Sequence, residues 1–310
     1  MKKLMVLGLL CMAIGIQAQQ NNNVTSILEV LDVQTGQRTV LKEFNYLIEA
    51  PNWTRDGKWI YFNSGGLIYK IDAEGKGNPG LVDTQFVSKC NNDHILSFDG
   101  KWLAVSSSTN GTSGWGSYVY VLPVEGGTPR LVTPYSPSYL HGWSPDGKTL
   151  AYCAFRDYEA GADIYTISID GGEETQLTTA PGLDDGPEYS PDGKHIWFNS
   201  VRTGLMQVWR MNADGTDQRQ MTFDETRNAW FPHVSPDGKQ VIYITYHVGD
   251  LEPGQHLANY NVELWMMPAE GGQPKRMVEL FGGQGTINTN SWAPDSRHVA
   301  FVSYRLKNKE

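Results

Sequence analysis

Cysteine is scarce in this chain: there are three in 310 residues, and Cys11 sits inside an N-terminal apolar run. Only Cys90 and Cys153 follow, with no C-x-x-C pair, so a disulfide framework and a cysteine-based metal knuckle are both excluded. Two buried thiols are expected in preference to a bridge. Basic residues are also short, with 25 Lys and Arg against 34 Asp and Glu and a formal net charge of −9. Such a chain lacks the footprint for nucleic acid or an anionic membrane surface. No G-x-S-x-G elbow exists, which removes serine-hydrolase chemistry of that kind. The stretch GGQGT (282–286) lacks the lysine and the strand–helix context of a phosphate loop.

Long apolar runs are confined to the start, MKKLMVLGLLCMAIGIQAQQ. Lys2 and Lys3, an apolar stretch from Leu4 to Ile16 and the small Ala18 have the layout of a secretory signal peptide. Cleavage after residue 18 would remove two lysines and no acid, leaving the mature chain near −11. No second apolar stretch follows, so an exported protein without a membrane span is expected, with residues 19–310 as one domain.

What the chain has in abundance is glycine (33), tyrosine (15) and tryptophan (10), a composition suited to a large all-β core with many turns. One unit recurs six times: TRDGKWIYF (54–62), SFDGKWLAV (97–105), SPDGKTLAY (144–152), SPDGKHIWF (190–198), SPDGKQVIY (235–243) and APDSRHVAF (293–301). The intervals from Asp to Asp are 43, 47, 46, 45 and 58 residues. In the turn itself, Pro pre-sets its position, Asp bonds its own backbone and Gly tolerates positive φ. Alternating apolar and polar residues follow each turn, the mark of a half-buried strand. Each unit is preceded by an inner strand and followed by two more, such as YVYVLP and PRLVTP. Four antiparallel strands in about 45 residues make a propeller blade. The last unit ends after two strands, while ILEVLDVQTG (27–36) and QRTVLKE (37–43) supply a third and a fourth at the other terminus. The fold expected is therefore an all-β, six-bladed propeller of four-stranded antiparallel blades, closed by N-terminal strands that complete the last blade.

The six S-P-D-G-K units resemble the PD-type repeats of the TolB-type six-bladed β-propellers of bacterial periplasms, over residues 24–310. The resemblance implies a periplasmic propeller that binds a polar ligand or a protein partner, and a monomer is expected.

Repeats that build the same blade should agree, so their disagreements point to function. Three residues before the turn stand Pro51, His94, His141, Pro187, Pro232 and Asn290. One place further on are Asn52, Ile95, Gly142, Glu188, His233 and Ser291. These segments converge on one mouth of the central channel, and Asn92, Asp93, His94, His141, Asp184, Asp185, Glu188, His233, Asn288 and Asn290 form the candidate ligand site. The loops on the same face add Trp115, Arg156, Arg202 and His247, which with Trp230 make an aromatic and arginine-bearing rim suited to an oligosaccharide or a peptide. Because proline is the default at their position, His94→Ala and His141→Ala are expected to cost no more than about 1 kcal/mol.

Three histidines from three blades, His94, His141 and His233, could share one divalent metal ion, with Gln284 or a carboxylate such as Asp185 or Glu188 completing the shell. Oligogalacturonate lyases, which also resemble PD-type propellers, hold a divalent metal with histidines and a glutamine. That resemblance implies an alternative function, metal-assisted lyase or hydrolase chemistry on oligosaccharides.

Overall fold

The computed structural model describes residues 23–109, 116–157 and 159–307. The expected signal sequence and Trp115 lie outside them. Within them the chain is an all-β propeller of 23 strands with no helix.

The strands follow the repeat. The first full unit is β3 (Glu49–Trp53), β4 (Trp59–Ser64), β5 (Leu67–Asp72) and β6 (Gly80–Leu81), after β1 (Val24–Asp32) and β2 (Arg38–Phe44). Next come β7 (Cys90–Leu96), β8 (Trp102–Ser107), β9 (Tyr118–Pro123) and β10 (Arg130–Leu131), then β11 (Ser138–Trp143), β12 (Thr149–Asp157), β13 (Gly161–Ser168) and β14 (Thr175–Gln176). The chain continues through β15 (Gly182–Tyr189), β16 (His195–Ser200), β17 (Gln207–Asn212) and β18 (Arg219–Gln220). The last strands are β19 (Arg227–Val234), β20 (Gln240–His247), β21 (Ala258–Pro268), β22 (Lys275–Gly283) and β23 (His298–Leu306).

Five of the six repeated turns lock in the same way, while in the sixth, where Ala293 and Ser296 replace the hydroxyl residue and the glycine, Asp295 accepts from Arg297 N and His298 N. The Asp146 carboxylate accepts from Ser144 Oγ at 2.6 Å and from the Lys148 N–H at 3.0 Å, while Thr149 N donates to Ser144 Oγ. Gly147, at φ 74°, closes the turn by donating to the Ser144 carbonyl.

Hydrogen bonding divides the strands into five sheets rather than six separate blades: β3–β6, β7–β10, β11–β18, β19–β22, and the three strands β2, β1 and β23. Two local causes explain the difference. Gly161 and Gly182 pair in parallel across β13 and β15, and a Cβ on Gly161 would lie 1.9 Å from the Gly182 oxygen. Two glycines allow that approach, which fuses two sets of four strands into one sheet. In the last unit the segment before the turn makes only a single bridge, Trp292 to Val299, so the closing sheet keeps three strands.

Closure between the termini is explicit. β1 pairs antiparallel with β23 from Val24↔Leu306 to Asp32↔His298, and β2 pairs with β1 on the other side. Glu29, buried in this ladder, accepts from Arg38 at 2.7 Å and from Ser303. The inner strands β3, β7, β11, β15 and β19 lie against one another in chain order, and β23 lies against β3.

Leu28 is fully buried opposite Val302, whereas Val40 on the outer strand is 55 % exposed. Leu28→Ala should therefore cost about 2–5 kcal/mol in chemical denaturation, and Val40→Ala less than about 0.5. Equal small losses would show that the N-terminal strands are not part of the core.

Candidate functional site

Every inner strand breaks register at one place. The ladder skips between Glu49 and Asn52, Cys90 and His94, Leu140 and Gly142, Asp185 and Glu188, and Trp230 and His233. Such bulges release backbone from pairing and re-aim side chains. They explain why Pro51, Pro187 and Pro232 are tolerated, since a bulged residue owes no ladder hydrogen bond. The residues before these prolines, Ala50, Gly186 and Phe231, sit at φ 55°, 62° and 52°.

The bulges open onto a cleft of about 290 Å³ at one mouth of the channel. Of the residues singled out in the sequence, Asn92, Asp93, His141, Asp185, Gln284 and Asn288 line it. His141 is the bulged residue of β11, stacked on Phe231 with ring centroids 5.4 Å apart. Its Nε2 lies 3.4 Å from Asp185 Oδ1 and 3.8 Å from Asp93 Oδ1. Burial pushes the Asp93 carboxyl up to about 6, opposed by His141 and reinforced by the Asp185 charge. Glu49, whose carboxylate accepts from Asn63 Nδ2, is likewise pushed up to about 7, first by burial and then by Asp93.

The sequence reading missed part of this site. The long β20–β21 connection brings in His256, with Nε2 3.7 Å from Asp185 Oδ2 and its ring 4.4 Å from Trp230. Burial pulls the His256 pKa down to about 4. Phe231 forms one wall, and Tyr139 and Phe155, paired edge to face, form another. The Cys153 thiol also lines the cleft, and burial first, then the Asp185 charge, raises its pKa well above the ordinary thiol value. Cys90 and Cys153 are both free and buried. The 58-residue interval marked the insertion as unusual; nothing in it marked His256 in particular.

Other expected site residues do not line the cleft. His94 is in register opposite Val105 and fully buried, because the β7 bulge is three residues long. In β7 the bulged residues Asn92 and Asp93 line the cleft instead. The His94 ring nitrogens lack hydrogen bonds of normal geometry, and burial outweighs the nearby backbone of Tyr61 and Ala50 in pulling its pKa down to about 4. Asp184 points to the opposite face of β15 from Asp185 and binds Arg202 at 2.6 Å. Arg202 also binds Gln218, and Arg156 is held by Glu174, Pro137 and Ser138, so neither guanidinium lines the cleft. The arginine half of the expected sugar-binding rim is thus spent on internal ion pairs. Trp230 is fully buried behind His256.

Glu188, His233 and Asn290 form a clamp between units. Glu188 Oε1 accepts from Val234 N at 2.8 Å and from Asn290 Nδ2 at 2.7 Å, and Oε2 meets His233 Nδ1 at 2.6 Å. His233 Nε2 meets the Ile287 carbonyl, which leaves no ring nitrogen for a metal ion. Among the described residues no group of three or more His, Cys, Asp and Glu is placed to hold one; of the expected ligand set, His141 and Gln284 line the cleft, while His94 and His233 do not. Glu188 and Asn290 border a second, narrower space beyond His141, with Arg55 stacked on Phe98.

The comparisons with known proteins agree with this architecture. The family model described as the TolB β-propeller domain matches residues 141–254. The uncharacterized protein Atu1656 of Agrobacterium fabrum is 44% identical over 279 residues, covering 90% of this chain and 92% of its own. A solved structure from Agrobacterium tumefaciens, assigned as a candidate TolB, superposes with a TM-score of 0.86 at 43% identity, covering 92% of this chain and 99% of that one. This chain belongs to the TolB-type β-propeller family. The Tol-Pal system protein TolB of Francisella tularensis is 27% identical over 84% of this chain, which spans 57% of that protein. An oligogalacturonate lyase solved with manganese shares the fold at a TM-score of 0.50 and 15% identity, covering 74% of this chain and 65% of that one.

Two predictions follow from the geometry. His94→Ala should cost about 2 kcal/mol or more as an unfilled core cavity, and Glu188→Ala about 3 kcal/mol by stranding Val234 N, Asn290 and His233. Asp185→Asn should cost less than about 1 kcal/mol, because an amide oxygen can still accept from Gly186 N. Denaturation curves giving the reverse order would make the clamp dispensable and the cleft structural.

The Glu49 pKa is raised in the folded state, so its protonated form contributes stability below pH 4.5 that is lost as pH rises through about 7. Glu49→Gln should match the parent at pH 4 and exceed it at pH 8 by about 1–3 kcal/mol. Urea titrations at pH 4, 6 and 8 read the difference; a constant offset would place Glu49 in solvent-like surroundings.

Proposed function

We propose that this chain is an exported, periplasmic binding module. In this reading the leader at 1–18 is removed and residues 19–310 form one monomeric, six-bladed domain. The six-unit count rests on the six turns and on the eight-stranded sheet, which divides at its two-residue parallel bridge into two sets of four. The ligand is polar, a small molecule or the end of a peptide or protein partner, and it binds in the cleft. The observation that carries this reading is the meeting of Asp93, His141, Asp185 and Asn288 from four units around one cavity of small-ligand size.

A second reading is a lyase or hydrolase of oligosaccharides assisted by a divalent ion, supported by the fold shared with the oligogalacturonate lyase solved with manganese. Metal analysis of protein purified without chelator, together with an assay for cleavage of oligogalacturonate, separates the two. The binding reading expects no turnover. It also expects a rise in Tm with a member of a peptide and oligosaccharide panel, lost in Asp185→Asn. Cleavage that tracks a stoichiometric metal would replace it with the second.

A further inference from the structure

Resting on the reading of this cleft as a ligand site, we propose that the group it selects is a primary ammonium, carried by a peptide N-terminus or a small amine. Asp93 and Asp185 converge on one edge of His141, yet at 3.8 and 3.4 Å both are beyond a normal hydrogen bond. No lysine or arginine is among the described residues lining the cavity, so the two carboxylates face it without a fixed counter-cation. Asp93 accepts from Asn91 Nδ2 and Asp185 from Gly186 N, neutral donors that leave the buried charge uncompensated, and a ligand cation between the two would lower that cost.

His141 supplies an independent pointer. It is 5 % exposed, borders the cleft, and its Nδ1 has no hydrogen-bond partner. Its Nε2 faces Asp93 and Asp185 without a hydrogen bond of normal length to either, so this buried ring borders the cleft without a full set of protein partners. An ammonium has three N–H groups to offer, enough for Asp93, Asp185 and one more acceptor.

The walls suit the same group. The Tyr139–Phe155 pair presents aromatic surface to a cation and to the apolar carbons beside it, while Phe231, stacked on His141, closes the other side. A volume of about 290 Å³ is at the small end for ligand pockets and admits a chain end rather than a chain middle. An anionic sugar would meet two carboxylates and no guanidinium.

The test is calorimetry at low salt with trialanine, N-acetyl-trialanine, 1,5-diaminopentane, Nα-acetyl-lysine amide and digalacturonate. At least one amine-bearing probe should bind, and acetylating the trialanine amine should weaken that probe about ten-fold or more. The differences between trialanine, the lysine amide and the diamine separate N-terminus, side chain and free amine as sources. Asp93→Asn and Asp185→Asn, each checked for an unchanged Tm, should each weaken the best amine about ten-fold or more, and added NaCl should weaken it further. No amine binding up to about 10 mM, equal binding of the acetylated peptide, or unchanged affinity in both folded variants overturns the proposal. Asp185-dependent binding of digalacturonate or N-acetyl-trialanine would overturn the ammonium assignment while leaving the cleft a binding site.

Discussion

An innermost propeller strand has a ladder partner on one side only, and its other edge faces the channel. Backbone groups on that edge must be satisfied without a neighbouring strand. Here the solution is a bulge in each of β3, β7, β11, β15 and β19, at the same height in every unit. The bulge frees one to three residues from the ladder, and what stands there can be proline, a left-handed residue or a side chain aimed into the channel. The cleft and the inter-unit clamp both originate at this break.

Adjacent units are held together largely by side chains that reach across to backbone. Leu96 N donates to Asn52 Oδ1, Leu140 N to Ser106 Oγ, Phe231 N to Asn199 Oδ1, Val234 N to Glu188 Oε1, and Ile48 N to Ser26 Oγ. Each satisfies a buried donor with an acceptor from the preceding unit, and a buried donor left alone costs about 1–3 kcal/mol. Different residue types do this job in different units, so Glu188 looks like a departure from a pattern when it is a local way of making the same bond. The His233 ring extends that bond to Ile287, tying three units at one point.

The all-β propeller and the pairing of its termini were legible because they rest on short-range signals: a turn with its own hydrogen bonds, period-two alternation, and a count of strands left over. The cleft was only partly legible, because side-chain direction inside it depends on bulge length. That length is one residue in β11, two in β15 and β19, and three in β7. Counting back from the turn therefore puts His94 level with His141, whereas pairing matches His94 to Leu140, and the bulged residues that reach the cleft are Asp93 and His141. The two arginines were misread for a different reason. A rim position says where a guanidinium starts, but Glu174 and Asp184 decide where it ends. His256 arrives on an inserted loop that no sister repeat can calibrate.

Burial moves the titratable groups around this mouth towards their neutral forms: Glu49 and Asp93 are pushed up, His94 and His256 pulled down. Such shifts cost the fold stability above the unfolded pKa for the two carboxyls and below the unfolded value of 6.5 for the two histidines, where the unfolded chain would carry the charge in water. A ring held by terminal pairing and by the clamps can carry such a cost without losing its shape. The division of labour is then physical: Glu188, His233 and Asn290 spend their polar atoms on other units. Asp93 and Asp185 accept only from near neighbours in their own strands among the hydrogen bonds described, Asn91 and Gly186, and with His141 they line the cavity. Polar groups of the first kind stabilise the contact between units, whereas those of the second kind are the ones left within reach of anything in the cavity.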